Sequence, residues 1–128
     1  MYKANIMIVD DEPDILEVFT LFLGNDCNIF TERNALYAME KFILVKPDIL
    51  ITDVNMPGMS GIDLLEKVKE ISPSTEVIVM SGNMEEFLNA RLSGAFDCML
   101  KPVTVDELRN TVNKAIKKIN NAEYNVCI

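Results

Sequence analysis

Short apolar runs alternate with longer helical patterns along the whole chain. Ile6-Met7-Ile8-Val9, Asp48-Ile49-Leu50-Ile51-Thr52 and Val77-Ile78-Val79-Met80 are brief and rich in β-branched residues. Runs that are apolar at every position suit strands buried on both faces of a parallel sheet. Cys27 to Phe30 and Phe96 to Leu100 are weaker strand candidates. Between the strands, apolar residues recur at helical spacing. Ile15, Phe19 and Phe22 follow Pro13, a residue suited to a first helical turn. Ala35, Ala38, Met39 and Phe42 form a second stripe, and Ile62, Leu65 and Val68 a third, entered through Ser60 and Gly61. The fourth, Phe87 to Leu92, is short. Val105, Leu108, Val112, Ile116 and Ile119 make the fifth, opened by Thr104 and Glu107 as a capping box in which each side chain satisfies a free backbone N–H.

Five βα units result, with strand ends near Val9, Phe30, Thr52, Met80 and Leu100. The ends are 21, 22, 28 and 20 residues apart by subtraction, each long enough for a right-handed crossover. The expected fold is α/β: a doubly wound parallel sheet between two layers of helices. No linker or change in composition divides the 128 residues, and Asn120 to Ile128 read as a frayed end.

Charge narrows the function. A net charge of −8 repels nucleic acid and anionic lipid, so direct nucleic-acid binding is not expected. Cys27, Cys98 and Cys127 are widely separated and the chain has no histidine, which argues against a zinc site or a disulfide framework. Reduced thiols suit the cytoplasm. The apolar run before Asp10 is too short for a signal peptide, and no run is long enough for membrane insertion.

In an open parallel sheet, ligands bind beyond the carboxyl ends of the strands. Asp10, Asp11 and Glu12 follow the first strand, Asp53 the third, Ser81 and Gly82 the fourth, and Lys101 and Pro102 the fifth. The second ends without an obvious reactive group. Taken singly, each has a plain structural role: Asp10, Asp11, Asp53 and Ser81 as caps, Lys101-Pro102 as a turn. Together they place carboxylates, a hydroxyl and an ammonium on one rim. Two like charges ~4 Å apart repel by about 4 kcal/mol at an effective dielectric near 20. A cation is therefore needed among the carboxylates, and Mg²⁺ prefers such oxygen ligands together with phosphate oxygens. A carboxylate can act as nucleophile in phosphoryl transfer, with Lys101 and Ser81 to hold phosphoryl oxygens.

Ile8-Val9-Asp10-Asp11-Glu12, Asp53 through Gly61, Ser81-Gly82 and Lys101-Pro102 together resemble the receiver domain of two-component response regulators. The resemblance implies a flavodoxin-like (βα)5 sandwich with strand order 2-1-3-4-5, a receiver domain over 1–121 and a tail over 122–128. It implies Asp53 as phosphoacceptor, with Mg²⁺ held by Asp11 directly, by Asp10 largely through water, by Asp53 and by the backbone carbonyl of Asn55. Ser81 and Lys101 would contact the phosphoryl group, and the Lys101–Pro102 peptide would be cis. The implied partners are a sensor histidine kinase or histidine phosphotransfer protein as donor and a downstream effector protein. The chain would promote its own phosphorylation and slow dephosphorylation without being an enzyme for an outside substrate.

Cys98 departs from the pattern, standing where the family usually has Tyr or Phe. It reads as a small buried hydrophobe in place of the aromatic switch partner of Ser81, with a redox-sensing thiol as the other reading. Met56, Met59, Met80, Met84 and Met99 read as core filling, and Asn55 and Asn83 as residues that tune hydrolysis. The alternative function is a phosphorylation-independent interaction module with a relic site. An aspartate-nucleophile phosphatase would need a second acid where Asn55 stands, and a flavin site would meet an anionic wall at Asp10-Asp11-Glu12.

Overall fold

The computed structural model describes residues 3–126, with side chains up to Asn121. Five strands alternate with five helices: β1 (Asn5–Val9), α1 (Pro13–Leu23), β2 (Asn28–Glu32), α2 (Ala35–Val45), β3 (Ile49–Asp53), α3 (Gly61–Ile71), β4 (Glu76–Ser81), α4 (Met84–Leu92), β5 (Asp97–Leu100) and α5 (Val105–Val126). All strand pairs are parallel, in the order β2-β1-β3-β4-β5. This is the doubly wound architecture that the alternating pattern predicts.

Period-two alternation divides the strand residues between two cores. Ile6, Ile8, Ile49, Ile51, Ile78, Met80 and Met99 pack with Leu16, Phe19 and Leu23 of α1 and Leu108, Val112 and Ala115 of α5. Met7, Val9, Leu50, Val77, Val79 and Cys98 pack on the opposite face, against α2, α3 and α4. Followed to the strand ends and one residue beyond, the same alternation puts Asp10, Asp53 and Lys101 on the α1/α5 side and Ser81 on the α4 side.

Several boundaries differ from the sequence reading. On α1 the buried stripe is Leu16, Phe19 and Leu23. Ile15 packs only partly, and Phe22 lies under the Arg109 guanidinium, 5.6 Å from the ring centre. β2 runs on to Glu32, whose carboxylate pairs with Lys41 at 3.3 Å. Half of the expected capping box on α5 forms: Thr104 Oγ1 accepts from the Glu107 N–H at 3.1 Å, and the return bond is not made among the described residues. α5 continues to Val126, past the expected frayed end at Asn120, because no Gly or Pro interrupts that stretch. Cys127 lies outside the described residues.

α3 must begin close to the end of β3, and Gly61 makes this possible. Its N–H donates to the Val54 carbonyl at 2.9 Å. A Cβ at Gly61 would fall onto the Asp53 carbonyl oxygen. Gly61→Ala should therefore push α3 away from β3 and cost about 2–3 kcal/mol, read as a lowered midpoint in urea unfolding.

Candidate functional site

The sheet reverses its winding between β1 and β3, and a crevice opens at their carboxyl ends. Val9 is in register with Thr52. Asp10 and Asp53, one residue further along, are therefore neighbours on one side of the sheet. Both are buried, Asp10 completely and Asp53 to 3% exposure. Asp11 follows on the rim, half-buried. A side-chain oxygen from each of Asp10, Asp11 and Asp53 lies within 4.8 Å of the others.

The capping reading of Asp10 accounts for only one of its oxygens. Oδ1 accepts from the Glu12 N–H at 2.8 Å. Oδ2 is the one buried side-chain polar atom with no hydrogen-bond partner among the described residues. Burial pushes the Asp10 carboxyl up to about 6, opposed by the Glu12 N–H and reinforced by the charge of Asp53. An orphaned buried oxygen beside two further carboxylates is an all-oxygen donor set that could hold a metal ion, and one hard cation would satisfy all three.

Lys101 partly neutralises the cluster. Its Nζ lies 2.8 Å from Asp53 Oδ2. Burial works against the ammonium charge, but the hydrogen bond to Asp53 and the nearby carboxylates outweigh it and raise the Lys101 pKa. Its backbone N–H donates to the Ser81 carbonyl at 2.8 Å, tying β5 to β4 at the site. The Lys101–Pro102 peptide is cis, as expected. The other oxygen of Asp53 accepts a long bond from the Asn55 N–H at 3.4 Å.

Ser81 stands apart from this cluster. Its buried Oγ donates toward both the Asn83 carbonyl and Glu86 Oε1, each at 2.9 Å, and accepts from the Asn83 N–H at 3.2 Å. The α4 cap is Asn83, whose side chain accepts from the Glu86 N–H. Glu86 also accepts from Asn55 Nδ2 at 3.3 Å. Two neighbours of the site escape the motif reading. Glu86 carries only an N-x-x-E signal, which marks a helix start. Arg33, whose guanidinium donates to the Asp11 carbonyl at 3.3 Å, carries none.

Cys98 is buried, with its thiol 3.6 Å from the Phe87 carbonyl. Burial, then the charge of Asp97, pushes the thiol up to about 11, which favours packing over redox chemistry. Of the methionines near the rim, Met56, Met80 and Met99 are buried, whereas Met84 is exposed on α4.

Residues 6–113 match the response regulator receiver domain family. Over 117 residues the chain is 31% identical to sporulation initiation phosphotransferase F of Bacillus subtilis strain 168, covering 89% of this chain and 94% of that protein. It is 33% identical over 134 residues to the DNA-binding transcriptional regulator NtrC of Proteus hauseri, covering 96% of this chain and 28% of that one. The chain spans only 25–28% of the length of the NtrC and PilR relatives it matches. A solved response regulator receiver domain protein from Clostridium thermocellum superposes with a TM-score of 0.88 at 31% identity, over 93% of this chain and 98% of that one. Fold, crevice and sequence together make this chain a response regulator receiver domain, a signalling module of two-component systems. No helix among the described residues is long and apolar enough to cross a membrane.

Two outcomes follow from these contacts. Asp10→Asn removes one of three crowded charges. It should stabilise the metal-free protein by about 1 kcal/mol, and any rise in melting temperature on adding Mg²⁺ to the wild type should be mostly lost in the variant, both measured by thermal unfolding. Cys98, with its pKa about 11, has on the order of one thiolate per thousand at pH 8. It should resist iodoacetamide in the folded protein and react once urea unfolds it, read by peptide mass mapping.

Proposed function

We propose that Asp53 accepts a phosphoryl group from a phosphohistidine on a sensor histidine kinase or histidine phosphotransfer protein, and that the modified domain changes its binding to an effector protein. The observation that carries this reading is the placement of buried Asp53 between Lys101 Nζ, 2.8 Å away, and the oxygens of Asp10 and Asp11. A nucleophilic carboxylate beside an ammonium and an all-oxygen cation site suits attack on phosphorus.

Asp10, Asp11, Asp53 and the carbonyl of Asn55 would hold Mg²⁺, which when bound neutralises charge between Asp53 and the incoming phosphoryl oxygens. An Asp53 oxygen forms the new O–P bond while the P–N bond to the donor imidazole breaks. The electron pair stays on that nitrogen. Lys101 leaves its salt bridge to Asp53 and follows the charge onto a phosphoryl oxygen. Ser81 is one strand beyond Asp53 and supplies a hydroxyl donor when its loop moves inward. The domain thereby promotes its own phosphorylation and its slow reversal, with water as the second acceptor.

The working unit is residues 1–121, beyond which α5 runs on to Val126 as an appended extension. Mg²⁺-dependent kinase chemistry and the reduced thiols favour the cytoplasm. The match along nearly all of the Bacillus phosphotransferase, at 94% of its length, supports a carrier role in a phosphorelay. The acidic surface, net charge −8, supports a protein partner over DNA. Ser81 and Cys98 would form the switch pair. With a buried thiol in place of a ring, the signal leaves through α4 rather than through an aromatic rotamer.

A second reading is a phosphorylation-independent interaction module, favoured by that same replacement at Cys98. The two separate in one experiment. Incubated with Mg²⁺ and acetyl phosphate, the wild type should gain one phosphoryl mass, labile in base and not formed when EDTA is present from the start, while Asp53→Asn gains none. Lys101→Ala should slow the gain by about 10²-fold or more. Partner binding that is the same with and without the adduct would select the second reading.

A further inference from the structure

The first turn of α4 holds a carboxylate that the acceptor chemistry does not use. Glu86 is the third residue after the N-cap Asn83. From that position a Glu ordinarily reaches back to the N-cap N–H and completes a capping box. Here the Asn83 N–H donates to Ser81 Oγ instead, at 3.2 Å. Glu86 is released from the cap and turned toward the strand ends. Its Oε1 accepts from Ser81 Oγ at 2.9 Å and from Asn55 Nδ2 at 3.3 Å. Two neutral donors, one at the end of β4 and one in the loop after β3, thus converge on one oxygen of α4.

A phosphoryl group on Asp53 needs donors of this kind and carries roughly two negative charges. Ser81 has a single hydroxyl proton, shared here between the Asn83 carbonyl and the Glu86 carboxylate, and a phosphoryl oxygen would compete with both for it. Their like charges also repel across a partly buried site.

We propose that Glu86 is a positioning residue of the acceptor reaction. It acts as an internal anion that holds Ser81 Oγ and Asn55 Nδ2 in the unphosphorylated domain and is expelled when Asp53 carries phosphate. This rests on the reading of Asp53 as phosphoacceptor and adds what opposes it. Expulsion moves the first turn of α4, because Glu86 is part of that turn. α4 is lightly anchored: Ala90 is its one fully buried side chain and Phe87 packs partly against the core, while Met84, Leu88 and Leu92 are exposed. Glu85, beside Glu86 in the same turn, is exposed and makes no side-chain hydrogen bond among the described residues. It offers a control that removes the same charge without the contact.

The test compares wild type, Glu86→Gln, Glu86→Ala and Glu85→Gln. Beryllofluoride, a phosphoryl mimic, is titrated at saturating Mg²⁺ by calorimetry, and phosphorylation by acetyl phosphate is timed by intact mass. Both Glu86 variants should bind beryllofluoride about tenfold more tightly and phosphorylate faster, the size of one charge-assisted hydrogen bond no longer in competition. Affinity for Mg²⁺ alone should stay within about twofold of wild type, a split that general loosening of the fold would not produce. Glu85→Gln should behave as wild type. Adduct formation in the wild type with no gain, or a loss, in the Glu86 variants would overturn the proposal alone. An equal gain in Glu85→Gln would also overturn it, because bulk charge would then explain the effect. No adduct and no beryllofluoride binding in any of the four proteins would overturn the acceptor reading and this proposal with it.

Discussion

The site depends on the enforced closeness of Asp10 and Asp53. Parallel pairing of β1 with β3 fixes their register, and the sheet buries both carboxylates where neither can retreat into water. Asp53 has Lys101 as a partner, whereas Asp10 keeps one oxygen with none. Such an arrangement is costly in an isolated domain. It becomes favourable when a cation and an anion enter together, and those are the components of phosphoryl transfer. The fold thus holds an electrostatic deficit at the one place where β1 and β3 part company.

Much of this was legible in the sequence. The wholly apolar strands identified a sheet covered on both sides, and the strand ends then placed Asp10, Asp53, Ser81 and Lys101 on one rim. The reason is physical: strand period and chain direction determine where the residue after each strand must lie. Helix faces were less legible. Ile15 and Phe22 satisfied the period on α1 as well as Leu16 and Leu23 do, and which pair is buried depends on how the helix seats on the sheet, which the period alone does not encode. The end of α5 was misplaced because asparagines weaken a helix without stopping it.

Glu86 was beyond such reasoning. Its spacing from Asn83 reads as an ordinary helix start, and nothing local reveals that Ser81 Oγ, rather than Glu86, accepts the Asn83 N–H. That exchange depends on β4 ending beside α4 and on Asn55 approaching from another loop. Cys98 was the opposite case. Its type and its position among apolar neighbours were enough to suggest a packed, inert thiol, and the structure buries it beneath α4.

On the proposed role of Glu86, which belongs to both the crevice and α4, the two would not be occupied independently. Thermodynamic linkage makes the coupling symmetrical. A protein that clasps α4 in its present position would disfavour phosphate on Asp53 by the same factor by which phosphate disfavours that protein. An effector on this helix is then not merely a listener: its abundance would set how much of the domain a given kinase activity can keep phosphorylated.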